Sequence, residues 1–111
     1  MALLREYKEI AYQWGIWKTE ESPEELLALL PDPERYEQLL TLFSSPHRKL
    51  EWLSVRVLLY QLLGEEKTIE YAPSGKPHLA DSSYFISISH TRGYVAVILS
   101  PVSEVGIDIE Q

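Results

Sequence analysis

Two carboxylates, Asp108 and Glu110, stand two residues apart in the run Val105-Gly106-Ile107-Asp108-Ile109-Glu110. Side chains alternate along a strand, so Gly106, Asp108 and Glu110 share one face and Val105, Ile107 and Ile109 the other. Like charges held this close repel unless a cation lies between them. Oxygen-only ligands favour a hard divalent ion, and magnesium bridging to phosphate is the usual arrangement; manganese fits similar ligands. Taken alone, the pattern is more often met as solvated acids that blunt an exposed edge strand.

Other residues of a kind that handle anions lie upstream. Lys76 sits between Gly75 and Pro77, a restricted turn that would hold a point charge near phosphate with little entropy loss. Ser89 and His90 end an apolar strand. As neighbours on a strand they face opposite ways, which argues against a nucleophilic Ser–His pair. Arg48, Trp52 and Arg56 are four apart and share a helix face. Arg56 is expected on the charged flank of that helix, with at most a structural hydrogen bond or ion pair. Trp14, Trp17 and Trp52 are expected in packing contacts rather than as a stacking platform. His47 and His78 have no partners at zinc-ligand spacing.

The elements that must position these residues can be read from period and punctuation. Apolar alternation from Tyr7 through Ile10, Tyr12, Trp14 and Ile16 to Trp17 predicts one strand of roughly eight to ten residues. Ser22-Pro23-Glu24-Glu25 has the order of an N-cap, a first-turn proline and first-turn acids, and opens a short helix to about Leu30. Pro31 to Glu34 restarts a second helix through Phe43. Ser45-Pro46 opens the longest helix, which runs to Leu63 with Gly64 as its C-cap. Leu50, Leu53, Val57, Tyr60 and the Leu58/Leu62 pair give it a broad apolar stripe. Strands are expected at about 68–72, 84–89, 94–100 and 104–110, with turns at Ser74-Gly75 and Arg92-Gly93. Helices followed by antiparallel strands indicate an α+β fold, with helices packed on a mainly antiparallel sheet.

The 111 residues are 45% apolar, enough for one small core, and include no cysteine, so neither disulfides nor a thiolate metal site hold the chain together. Charges interrupt every apolar run before it could span a bilayer, and the first residues carry no apolar signal core. The expectation is a cytoplasmic protein with no membrane partner. A net charge of −7 argues against generic nucleic-acid binding. Residues 1–46 hold nine acids and four bases; residues 47–111 hold eight acids and six bases. An acidic chain that binds an anion must do so with local positive groups.

Four blocks in order resemble the 4′-phosphopantetheinyl transferases of the larger, surfactin-type branch. They are Arg48-Lys49-Leu50-Glu51-Trp52-Leu53-Ser54-Val55-Arg56, then Gly75-Lys76-Pro77, then Phe85-Ile86-Ser87-Ile88-Ser89-His90 running on to Gly93-Tyr94-Val95-Ala96, and finally Gly106-Ile107-Asp108-Ile109-Glu110. Each is weak alone; together, at compatible gaps, they are specific. The likeness covers roughly residues 46–111.

The resemblance implies a transferase that moves the phosphopantetheine arm of coenzyme A onto a serine of an acyl or peptidyl carrier protein. It makes Asp108 and Glu110 the magnesium carboxylates and, through the metal, the catalytic residues. Arg48 and His90 become contacts to the 3′-phosphate of coenzyme A, with His47 and Lys49 as alternatives one residue from Arg48 in register. Ser89, Gly75, Lys76 and Pro77 complete the coenzyme A set. The family's lysines before the long helix are replaced here by Arg35 amid acids. Its second half carries a Trp-x-x-Lys-Glu block, and this chain has none. The chain therefore looks like the N-terminal half-domain, residues 1–111, of a pseudo-dimeric enzyme, with little activity by itself. The alternative is a non-catalytic binding or assembly module that keeps the fold and self-associates as a homodimer or pairs with a partner half.

Overall fold

In the computed structural model, residues 3–8 and 12–107 are described. Six strands and three helices are formed among them: β1 (Leu3–Lys8), β2 (Gln13–Lys18), α1 (Pro23–Ala28), α2 (Glu34–Leu40), α3 (Pro46–Leu63), β3 (Ile69–Tyr71), β4 (Pro77–Leu79), β5 (Phe85–Thr91) and β6 (Tyr94–Ser100). β1, β2, β6 and β5 lie in that order in one antiparallel sheet, while β3 and β4 form a separate hairpin. The architecture is α+β, as expected. No helix among the described residues is long and apolar enough to cross a membrane.

The single strand expected across Tyr7–Trp17 is two. β1 and β2 pair antiparallel with Tyr7 opposite Trp14 and Lys8 opposite Gln13. The apolar residues change phase between the odd-numbered Tyr7 and the even-numbered Tyr12, Trp14 and Ile16, an offset that one continuous alternating strand does not allow. The Tyr7 ring stacks on Tyr12 and Trp14, with centroids 5.5 and 6.2 Å apart, joining the two strands on one face.

The helix signals act as their chemistry suggests. The Ser22 side chain accepts from the Glu25 amide, and the Glu25 side chain accepts from the Ser22 amide, a reciprocal capping box with Pro23 in the first turn. α1 and α2 stop two to three residues earlier than the pattern suggested, at Ala28 and Leu40. Ser45 caps α3 through the Arg48 amide. Gly64 ends it at φ +73°, where its amide donates to the Tyr60 carbonyl. A side chain there would find open space but a strained backbone.

α3 departs from the amphipathic expectation. Every residue from Leu53 to Leu59 is buried, Ser54 and Arg56 included. β2 and β6 pack on it from one side and α1 from another. The core gathers Trp17, Leu26, Leu53, Val57, Leu58, Val97 and Leu99 around this helix. The Ser54 hydroxyl is satisfied inside that core by Thr19, Oγ to Oγ1 at 2.8 Å.

The Ser74-Gly75 turn lies inside the β3–β4 hairpin. The Gly75 amide donates to Ala72 and the Ala72 amide to Lys76, with Gly75 at φ +90°. Pattern reading passes over β4 because it begins with a proline, which is confined to edge or first positions of strands. The strand expected at 104–110 is not formed over its described part. Residues 104–107 are irregular, although Glu104 and Gly106 are exposed while Val105 and Ile107 are half-buried, as alternation required.

Candidate anion-binding cavity

Arg48, Trp52 and Arg56 repeat every four residues along α3 and present one line of side chains. Facing them are Tyr71, Gly75 and Pro77 from the β3–β4 hairpin and Ile88 and His90 from β5. Together with Phe43, Glu51 and Val55 these groups bound an open cavity of about 550 Å³, the size of a small-molecule site. The His90 pairing with Val95, and Ile88 with Val97, puts both on the sheet face that meets α3.

One wall is apolar and aromatic. Trp52 meets Tyr36 edge-on at 5.9 Å and lies 5.9 Å from Phe43. Two guanidinium groups stand beside it. Arg48 is exposed at the start of α3, its guanidinium 5.8 Å from the centre of the Phe43 ring. Arg56 is only 7% exposed, with its guanidinium 4.0 Å over Trp52. It donates to the Trp52 carbonyl at 3.3 Å and to the Tyr71 hydroxyl at 3.4 Å. Burial pushes its affinity for the proton below the ordinary guanidinium value, partly offset by Tyr71, but an arginine stays charged.

Neither arginine pairs with a carboxylate among the described residues. A buried cation without a counter-ion is costly, and it favours an anion in the adjoining space. The expectation that Arg56 belongs to a charged flank is therefore corrected. At its level α3 has no solvent flank, because the hairpin and the Trp52 ring cover it.

Glu51 supplies the cavity's negative charge. Its Oε2 lies 2.5 Å from His90 Nδ1 and its Oε1 3.4 Å from His47 Nε2. His90 therefore meets the carboxylate through one ring nitrogen, which leaves Nε2 as the nitrogen Glu51 does not engage.

The remaining sequence candidates are placed as follows. Gly75 and Pro77 line the cavity, but the Lys76 ammonium ion-pairs with Glu104 at 2.7 Å. That pair lies at a second, smaller cavity of about 290 Å³, which shares Pro77 with the first. The Lys76 partner holds the Glu104 carboxyl below its ordinary value. Ser89 does not line the main cavity; its pairing with Ala96, opposite Ile16, puts it on the far sheet face. Asp108 and Glu110 lie outside the described residues. The chain just before them is tied to β5 by the Ile107 amide, which donates to Ser87 Oγ at 3.3 Å. Among the described residues there is no group of three or more potential metal ligands.

Of the residues picked out in the sequence, Arg48, Gly75, Pro77 and His90 line the cavity; Arg56, Glu51 and Trp52, which also line it, were not among the candidates. The four-residue spacing of Arg48, Trp52 and Arg56 was the available signal. Nothing local announced that the hairpin would fold over it.

No protein-family model matches the chain. It is similar to the 4′-phosphopantetheinyl transferase AcpT of Salmonella typhi and to that of Escherichia coli K12, 38% identical in each case over 64 residues. These 64 residues are 57% of this chain and 33% of each relative, so the chain spans about a third of the length of the curated relatives it matches, and over that third its similarity is to phosphopantetheinyl transferases.

Proposed function

We propose that this chain forms the coenzyme A-binding part of a 4′-phosphopantetheinyl transferase of the surfactin-type branch, in which it is the N-terminal half. The observation that carries the reading is the convergence of Arg48, Arg56 and His90, from segments up to 42 residues apart, on one cavity whose other wall is aromatic. Coenzyme A has the matching chemistry: a purine face for Phe43 and Trp52, and phosphates for the guanidinium forks. Gly75, without a side chain, and Pro77, with a fixed backbone, would let the adenosine approach the hairpin closely.

In this reading Arg48, Arg56 and His90 take the phosphomonoester and orient the nucleotide. Lys76 reaches a phosphate only by leaving Glu104, and Ser89, on the far sheet face, does not contribute to this cavity. Asp108 and Glu110 form an oxygen-only donor set that fits a hard divalent ion. Bound there, magnesium would neutralise charge on the diphosphate leaving group. The attacking group would be a carrier-protein serine, and the products the modified carrier and 3′,5′-adenosine bisphosphate. The Trp-x-x-Lys-Glu block of the family's second half is not in these 111 residues, so the isolated chain is expected to bind without appreciable transfer.

Calorimetric titration with coenzyme A tests the reading. Binding that magnesium strengthens, and that Asp108→Asn with Glu110→Gln renders magnesium-independent, is the expected result. No binding at either condition overturns it. Rapid transfer of labelled phosphopantetheine to an apo carrier protein by the 111-residue chain would overturn the half-enzyme reading. Magnesium-independent binding by the unaltered chain would favour a non-catalytic module.

A further inference from the structure

Glu51 is an acid in a cavity otherwise suited to anions, and electrostatics alone makes it unfavourable there. A carboxylate beside an anion site repels the ligand. Its two contacts give it a different role. Through Oε2 it holds His90 Nδ1 at 2.5 Å, bridging α3 to β5 across the cavity, and through Oε1 it reaches His47 one turn earlier on its own helix.

A histidine has two distinct nitrogens, and the hydrogen bond made by one decides what the other can do. With Nδ1–H donated to Glu51, the ring plane is fixed and Nε2 is left for a ligand. The His90 side chain is 59% exposed, whereas the Glu51 side chain is 23% exposed. The carboxylate is therefore the group that restricts the imidazole.

We propose that Glu51 is a positioning residue that fixes the orientation and tautomer of His90, so that His90 Nε2 meets the phosphomonoester of the bound nucleotide. This rests on the coenzyme A reading above and adds to it a residue that touches no ligand. The same device is used around metals, where a carboxylate orients an imidazole for its work at the other nitrogen.

The test turns on sign. 3′,5′-Adenosine bisphosphate is titrated into the 111-residue chain and its Glu51→Ala and Glu51→Gln variants, each also in a His90→Ala background. If Glu51 acts only through its charge, both single variants bind more tightly. If it positions His90, Glu51→Ala binds about tenfold more weakly, the loss of one charge-assisted contact. Glu51→Gln, which keeps an acceptor for Nδ1–H, then recovers most of the affinity.

In the His90→Ala background the Glu51→Ala penalty must vanish. A purely structural role in α3 would leave that penalty in place. Nitrogen-15 spectra of His90 supply an independent readout: a protonated Nδ1 in the unaltered chain and the glutamine variant, and mixed tautomers in the alanine variant. Binding by Glu51→Ala equal to or tighter than that of the unaltered chain overturns the proposal while leaving the cavity's assignment standing. Failure of the unaltered chain to bind overturns both.

Discussion

Replacing Arg56 with methionine separates what this residue does for the fold from what it does for a ligand. Methionine keeps an unbranched apolar stem and removes the charge. The folded chain would lose a cation held over Trp52, worth about 2 kcal/mol when desolvated. It would also lose two long hydrogen bonds, at 3.3 and 3.4 Å, each contributing on the order of 1 kcal/mol or less. Against this stands the penalty for burying a cation with no carboxylate partner, several kcal/mol even after relaxation, as a rough figure. The opposing contributions are similar in size, so the unliganded stability should change by no more than ~1 kcal/mol.

Binding has no such compensation. Charge-assisted contacts from a guanidinium to phosphate contribute up to about 3 kcal/mol, or roughly a hundredfold in affinity. With ligand at about 100 times the dissociation constant of the unaltered chain, linkage raises stability by about 2.7 kcal/mol; at hundredfold weaker affinity this falls to about 0.4 kcal/mol. For a domain of this size the first corresponds to a melting shift of roughly 10 °C or more and the second to about 2 °C. Thermal melts with and without coenzyme A measure both. A variant whose ligand-induced shift equals that of the unaltered chain, or whose unliganded melting point collapses, would refute the argument.

Two further outcomes concern the scaffold. Gly64→Ala forces a side chain into the left-handed region at φ +73° and should cost roughly 1 kcal/mol, lowering the melting temperature by about 4–8 °C, with coenzyme A affinity at 25 °C unchanged. Asp81 is held well below the ordinary carboxylate range, first by the Lys67 ammonium at 2.6 Å and then by the Ser83 hydroxyl and amide. A depressed folded value means that the unfolded chain binds more protons in acid, so this contribution is present above about pH 4 and drains away as pH falls further. The melting-point gap between the unaltered chain and Asp81→Asn should therefore be open at pH 6 and close below pH 4. A gap of constant width would contradict the ion-pair assignment.

Local chemistry was legible in the sequence and long-range coverage was not. Ser22, Ser45 and Gly64 announce helix ends because capping is decided within four residues. The strands β5 and β6 and their turn at Arg92-Gly93 are equally local. The break between β1 and β2 escaped because its one local mark is a change of phase between Tyr7 and the even-numbered Tyr12, Trp14 and Ile16, with no glycine or proline between them. The burial of Arg56 escaped because it depends on Tyr71, which is 15 residues away in sequence and approaches only when the β3–β4 hairpin folds back. Arg48, Gly75, Pro77 and His90 were picked out in the sequence, and the fold brings all four to one cavity. Glu51 was not, since its contact with His90 joins α3 to β5 across 39 positions of sequence and is seen only in the fold.

The cavity borrows its walls from Phe43, from α3, from the hairpin and from β5, and no local segment owns it. An excised helix or hairpin would keep none of its shape. In the coenzyme A reading, occupancy therefore reports on cooperative assembly as a whole, so that a tightly held nucleotide slows proteolysis even at strands it never touches.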